Sequence, residues 1–297
     1  RSCIDVSFLK KHKKLPAVVM LSLIIVAAIS GVAYTQTGNT GWNMLETTWN
    51  LNVFEGFYPV PLTVSAAQSK GWKQLLKCGD TGSPGNVYYL GNDLSSMPIY
   101  NADGNIAGII LGMLNPGATE ETSASPFVEY KMENGTHFWG VQGTFRDPSK
   151  ICTAGTSNNV QVGDRLFFPN GNGQGKMYGA PLTENSTALA ADGWVKGACF
   201  PQMGYHYWRY IKVSMDCNDM YAIFLLYNSG KLNAWGIALA HDDRPTLTSY
   251  RWEHPAGSEL SYFFQSGEMP TCLPNQGTLT TQHIFLTNPA WDLCPLK

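Results

Sequence analysis

The sequence predicts a β-rich α+β protein, built from two similar units and preceded by one transmembrane helix. Three observations predict it. A basic tail leads into a long uncharged run, short apolar segments alternate with Asn/Gly turns, and a series of landmarks recurs in the same order further along the chain.

The N-terminal element comes first. Lys10, Lys11, Lys13 and Lys14 close a basic tail over residues 1–14, and residues 15–34 form an uncharged, apolar-rich run. About 18 such residues cross a bilayer as a helix, and the flanking lysines keep the N-terminus cytoplasmic. The expectation is a type II signal anchor, with the membrane as a partner through residues 15–34. A cleaved signal peptide ending near Gly31-Val32-Ala33 is the alternative, and the protein is then secreted. The length of the run favours the anchor. Either way the remainder faces the lumen or the extracellular space.

Cysteines and sequons agree with that placement. Cys3 lies in the basic tail, and Cys78, Cys152, Cys199, Cys217, Cys272 and Cys294 lie beyond the apolar run. An even set in an oxidising compartment predicts disulfides. Asn134-Gly135-Thr136 and Asn185-Ser186-Thr187 are glycosylation acceptors on that side of a membrane. Charged residues are only 14% of the chain and net charge is −2, with no basic stripe after the tail. Nucleic-acid binding needs such a stripe and is excluded.

After a stalk over residues 35–52, the chain can be laid on itself. Tyr58-Pro59-Val60-Pro61-Leu62-Thr63 recurs as Tyr178-Gly179-Ala180-Pro181-Leu182-Thr183, and Gly71-Trp72 as Gly193-Trp194. Cys78 and Cys199 follow, then Asn101 to Gly104 and Asn228 to Gly230, each between two apolar runs. His137 and His283 come next, and Cys152 and Cys294 close the copies. Such order predicts an internal repeat. Unit 1 spans residues 53–152, a linker with the first strand of unit 2 spans 153–177, and unit 2 spans 178–297.

Within each unit, Thr63 and Thr183 open Ala/Ser-rich stretches that read as helix starts, with Trp72, Leu75 and Leu76 on the buried face of the first. The Asn/Gly turns between Met97–Tyr100 and Ile106–Leu111, and between Tyr221–Tyr227 and Leu232–Ala238, are hairpin turns, because Asn and Gly accept positive φ. Residues 280–286 read as a further strand. If both units close alike, Cys78 pairs with Cys152, Cys199 with Cys294, and Cys217 is left for Cys272. A local Cys199–Cys217 bridge with Cys272–Cys294 is the other pairing.

No motif specifies a reaction. There is no Gly-x-Ser-x-Gly, the Gly/Asn run over residues 169–175 lacks a phosphate-binding Lys-Ser/Thr, and the paired carboxylates Glu120-Glu121 and Asp242-Asp243 sit in polar loops. The densest stretch is Cys199-Phe200-Pro201-Gln202-Met203-Gly204-Tyr205-His206-Tyr207-Trp208. In the overlay His206 falls opposite Val87, His254 opposite Tyr130, and Glu253 opposite Glu129. Unit 2 holds four of the six histidines. His206, His254 and His283 with Glu253 are therefore the candidate site, for a polar ligand or for zinc, copper or iron, since imidazole and carboxylate suit those metals. The competing reading makes His283 and His137 half-buried strand residues hydrogen-bonded to backbone, with His206 capping an aromatic cluster. Tyr205, Tyr207, Trp208 and Tyr210, if exposed, form a stacking platform for sugars.

The combination Tyr-x-x-Pro-Leu-Thr, Gly-Trp, Cys-Phe-Pro-x-Met-Gly-x-His-Tyr-Trp, Leu-Leu-Tyr-Asn-Ser-Gly-Lys-Leu and Glu-His-Pro resembles a family of animal ectodomain proteins, secreted or single-pass, of no established activity. More distantly, Pro201-x-Met203-Gly204-x-His206 is similar to bacterial secreted domains carrying Met-Gly-x-His. The resemblance covers most of residues 50–294 and implies location and fold only. The leading expectation is a membrane-anchored, disulfide-bonded glycoprotein that binds an extracellular ligand or partner through unit 2. A metal-dependent enzyme using the histidines is the alternative, and a structural or adhesion role the third.

Overall fold

Asn and Gly punctuate the chain, and strands fill the apolar intervals between them. The structure, a computed structural model, describes residues 41–50, 56–114, 125–132, 135–155, 162–169, 177–242 and 250–294. In chain order these form β1 (Glu46–Thr47), β2 (Tyr58–Pro59), α1 (Val64–Ser69), β3 (Trp72–Leu76), β4 (Asn86–Leu90), β5 (Met97–Tyr100), β6 (Ile106–Met113), β7 (Phe127–Lys131) and β8 (His137–Thr144). β9 (Leu166–Pro169), β10 (Met177–Ala180), α2 (Ser186–Ala191), β11 (Trp194–Phe200), β12 (Gly204–Arg209), β13 (Ile223–Asn228), β14 (Lys231–Leu239) and β15 (Thr280–Phe285) follow.

The α+β expectation is corrected. The described chain is mostly β, in two antiparallel sheets, and its α-helices are two six-residue segments. Thr63 caps α1 by accepting from the Ala66 amide, and Asn185 caps α2 by accepting from the Ala188 amide, but each helix halts at a glycine with φ of +83°, Gly71 or Gly193. Trp72, Leu75 and Leu76, expected on a helix face, belong instead to β3. The expected transmembrane helix over residues 15–34, the basic tail and Cys3 lie outside the described residues. Among the described residues no helix is long and apolar enough to cross a membrane.

Both sheets follow one plan. The first runs β3-β4-β5-β6-β8, the second β11-β12-β13-β14-β15, and each is extended at its far end by a hairpin. That hairpin comes from the segment preceding the other sheet: β9–β10 extend the first, β1–β2 the second. Ladder registers agree as well. Thr144 faces Phe167 as Phe285 faces Glu46, and Phe168 faces Tyr178 as Thr47 faces Tyr58. Tyr100 donates to the Pro61 carbonyl at 2.8 Å, and Tyr227 to the Pro181 carbonyl at 2.5 Å. The end of the segment read as a stalk is thus built into the second sheet, where Leu45 and Thr47 are buried.

Strand residues alternate between faces. Inner-face residues of both sheets, among them Tyr100, Ile109, Val141, Tyr207, Tyr227, Trp235 and Ile284, share one core. The sheets meet so closely there that a Cβ on Gly143 would lie 2.3 Å from the Trp235 ring. The outer face of the first sheet carries Val87, Ile99, Ile110 and Phe138, with Tyr130 of β7 stacked on Phe138 at 5.2 Å. The outer face of the second carries Trp208, Phe224, Leu226 and Phe285, covered by Leu260 and Phe264 near the 3-10 segment Gly257–Phe263 and by Leu273.

The disulfides are Cys78–Cys152, Cys199–Cys294 and Cys217–Cys272. This is the pairing in which each unit closes alike, and the Cys199–Cys217 alternative does not form. Asn185 is exposed, and Asn134 lies outside the described residues.

Candidate ligand site

The turn between β11 and β12 sets up the site. Gln202 takes φ of 69° and Gly204 takes +90°, where a Cβ would lie 2.4 Å from the Tyr227 carbonyl. Only glycine fits that position. β12 then starts with Gly204, His206 and Trp208 on the outer face and Tyr207 on the inner one. Tyr207 and Trp208 are both buried, on opposite faces, so the expected platform of Tyr205, Tyr207, Trp208 and Tyr210 is not formed.

His206 is fully enclosed by rings. Its ring centroid lies 4.7 Å from Phe263, 5.7 Å from Phe224, 5.8 Å from Trp208 and 6.3 Å from His283, the last nearly perpendicular at 87°. His283 arrives from β15, opposite Gly236. Beside it the Trp252–Glu253 segment runs along the other edge of β15, held by an antiparallel bridge between Glu253 and Thr281.

The Glu253 carboxylate has four donors. One oxygen accepts from the Trp49 amide at 2.6 Å and the His283 amide at 3.1 Å, the other from the Thr281 hydroxyl at 2.9 Å and His283 Nδ1 at 2.6 Å. Burial alone would raise its pKa, but the charge and hydrogen bond of His283, with the Trp49 and Thr281 donors, outweigh burial and hold it below the ordinary carboxylate value. Because the carboxylate accepts, His283 carries its proton on Nδ1 and leaves Nε2 as the open nitrogen. Burial, followed by the charge of His283, holds His206 well below the ordinary imidazole value, so it is neutral.

These groups line a cavity of about 440 Å³, with Trp49, Tyr58, Tyr250, Trp252, His254 and Glu259 among the other walls. Four buried nitrogens on its lining residues have no hydrogen-bond partner: His206 Nδ1, His283 Nε2, Trp49 Nε1 and Trp252 Nε1. His254 sits at 3.9 Å from Asp242, between its Nδ1 and Oδ1. The structure therefore brings all four sequence candidates to one cavity. Among the described residues no group of three or more His, Cys, Asp or Glu is arranged to hold an ion, and Glu253 already has four donors.

The first sheet lacks this arrangement. Gly112 faces Gly140 where Ala238 faces Thr281, and on that register His283 corresponds to Gln142 and Glu253 to Val128, while His206 corresponds to Val87. The sequence overlay of His137 with His283, Glu129 with Glu253 and Tyr130 with His254 is thereby corrected. Copies of unequal length between β6–β8 and β14–β15 misalign a sequence match that the ladders settle. His137 and Glu129 do pair at 2.5 Å, but in the open, where such a pair contributes little.

Sequence reasoning missed Trp49, Tyr58, Tyr250 and Trp252. Trp49 lay in the supposed stalk, and no local pattern announces that its hairpin crosses to the second sheet. Comparison with protein-family models, with curated proteins and with solved structures finds no match for this chain.

Proposed function

We propose that the protein binds a small ligand outside the cell, in the cavity on the outer face of the second sheet. The observation that carries this reading is the set of four unpartnered buried nitrogens on residues that line one cavity. Each buried polar group without a partner costs about 1–3 kcal/mol. The indole N–H groups of Trp49 and Trp252 favour a ligand oxygen that accepts from them, and His283 Nε2, an acceptor, favours a ligand hydroxyl that donates to it. The extracellular placement is supported by three disulfides, which persist in oxidising compartments, and by the exposed acceptor Asn185.

A thermal-shift screen of small acceptor-bearing molecules tests the reading, run on the wild-type ectodomain and on His206→Val, which installs the residue of the first sheet. A ligand at about a hundred times its Kd stabilises the fold by about 2.7 kcal/mol, or a Tm rise of about 5–10 °C at about 2–4 °C per kcal/mol. The rise is expected in the wild type and lost in the variant. Hits that stabilise both proteins equally would place binding elsewhere.

The Glu253–His283 pair favours a second reading, acid–base catalysis. A carboxylate on Nδ1 orients an imidazole so that Nε2 can take a proton. Turnover of a bound ligand, abolished by His283→Gln while binding weakens only by the loss of one contact, about 3–10-fold, distinguishes catalysis from binding alone.

A further inference from the structure

We propose that the ligand is a neutral saccharide. This rests on the binding reading above and narrows it by charge, hydrogen-bond sense and wall chemistry.

Charge comes first. The lining includes Glu253 and Glu259 and, among the described residues, no Lys or Arg. An anionic ligand meets no countercharge there. A cation is drawn to aromatic walls, yet Glu253 already accepts four hydrogen bonds. The nitrogens left open on Trp49 and Trp252 are donors only, and donors repel an ammonium N–H. An uncharged ligand rich in acceptor oxygens satisfies them.

The exposed side of the cavity carries two aromatic rings. Tyr58 and Tyr250 pack edge-to-face at 4.6 Å, and Tyr250 is 58% exposed. The Arg251 guanidinium lies 5.4 Å from the Tyr58 ring centroid and 5.5 Å from that of Tyr250. Arg251 is itself buried, donating to the Thr47 hydroxyl at 2.9 Å. Arg251 is also paired with Asp93 at 3.6 Å and is not among the lining residues. The C–H bonds of a pyranose face are weakly positive and suit the negative face of aromatic rings, while its hydroxyl and ring oxygens are the acceptors that the buried wall lacks. A volume of about 440 Å³ lies within the range of small-molecule sites, about 300–1,000 Å³.

The test is titration of the intact ectodomain, followed by calorimetry, with three groups of probes. Maltose, cellobiose, lactose and N,N′-diacetylchitobiose are neutral, sialyllactose and glucuronate are anionic, and choline and spermidine are cationic. At least one neutral saccharide is expected to saturate the protein. Trp252→Phe, which keeps a ring and removes the N–H, and Tyr250→Ala, at an exposed side chain, should each weaken it by about 3–10-fold, the range of one neutral contact. Saturation by a neutral saccharide that both variants leave unchanged places it outside the cavity and overturns the proposal. So does binding confined to the anions, to the cations, or to non-saccharides from the thermal-shift screen, although the broader binding reading then stands. If no probe and no screened molecule binds, both readings fall.

Discussion

Replacing Glu253 by Gln keeps the shape of the side chain and removes its charge. Glu253 accepts from two backbone amides, one hydroxyl and one imidazole at 2.6–3.1 Å. In the variant the amide oxygen can still serve the two backbone donors. The NH2 group then meets the Thr281 hydroxyl, which can rotate to accept, and His283 Nδ1, which can accept only after its proton moves to Nε2. Charge-assisted bonds of about 1.5–3 kcal/mol become neutral bonds of about 0.5–1.5 kcal/mol. Four bonds to Glu253 lose this assistance, at about 1 kcal/mol each, so a loss of about 3 kcal/mol at neutral pH is the lower expectation. At about 2–4 °C per kcal/mol, Tm falls by about 6–12 °C.

Urea unfolding of wild type and Glu253→Gln across pH adds a sign. The folded-state pKa of Glu253 is depressed, so its stabilisation is complete above the ordinary carboxylate value and is lost as pH falls through the lower folded value. The gap between the two proteins should therefore close in acid. Nitrogen-15 spectra of His283 should show the proton on Nδ1 in wild type and on Nε2 in the variant. A variant within about 0.5 kcal/mol of wild type at pH 7, the range of an ordinary surface change, would refute the reasoning, as would a gap that persists unchanged in acid.

Three further outcomes follow from other parts of the fold. Burial raises Asp292 to about 7 against the pull of the Asn228 and Asn233 amides, so its contribution runs opposite to that of Glu253. Stability falls as pH rises from the ordinary carboxylate range to about 7, and Asp292→Asn should flatten that slope in pH-dependent urea unfolding. Gly143→Ala drives a methyl into the Trp235 ring at the sheet-to-sheet contact and should cost about 1–3 kcal/mol, read from the urea midpoint. Removing Cys78–Cys152, with a separation of 74 residues, by the double serine substitution should cost about 4 kcal/mol in the chain-entropy account, checked by the urea midpoint under non-reducing conditions.

Features governed by local chemistry were legible in the sequence. Asn228-Ser229-Gly230 announces a hairpin, and the positive φ angles fall on Ser229 and Gly230, at 49° and 75°, rather than on Asn228 as the sequence suggests. Thr63 announces a helix start by its capping oxygen, yet the same stretch misled, because Gly71 ends the helix before Trp72 can join it. His206 stood out through its contrast with Val87, and that contrast is real in the ladders. Exchange of the β1–β2 and β9–β10 hairpins was not legible. A strand pairs as well with a distant sheet as with its own, and only the assembled core decides. With the exchange hidden, Trp49 could not be seen beside Glu253, and the indole donors of the site were lost to view. The match of His137 to His283 failed for a related reason: both precede bulky apolar residues, but the ladder position of His283 belongs to Gln142.

The central claim is that the cavity takes a ligand through nitrogens the protein leaves unpaired, and tryptophan supplies an internal control. Trp42 Nε1 donates to the Leu232 carbonyl at 3.0 Å and Trp194 Nε1 to the Tyr178 hydroxyl at 3.0 Å, whereas Trp49 and Trp252 have no acceptor. The measurement is the indole proton–nitrogen spectrum of the labelled protein, recorded with and without the ligand that stabilises it most. The Trp49 and Trp252 signals are expected to move while those of Trp42 and Trp194 hold still. Unmoved Trp49 and Trp252 signals at saturating ligand would contradict the claim.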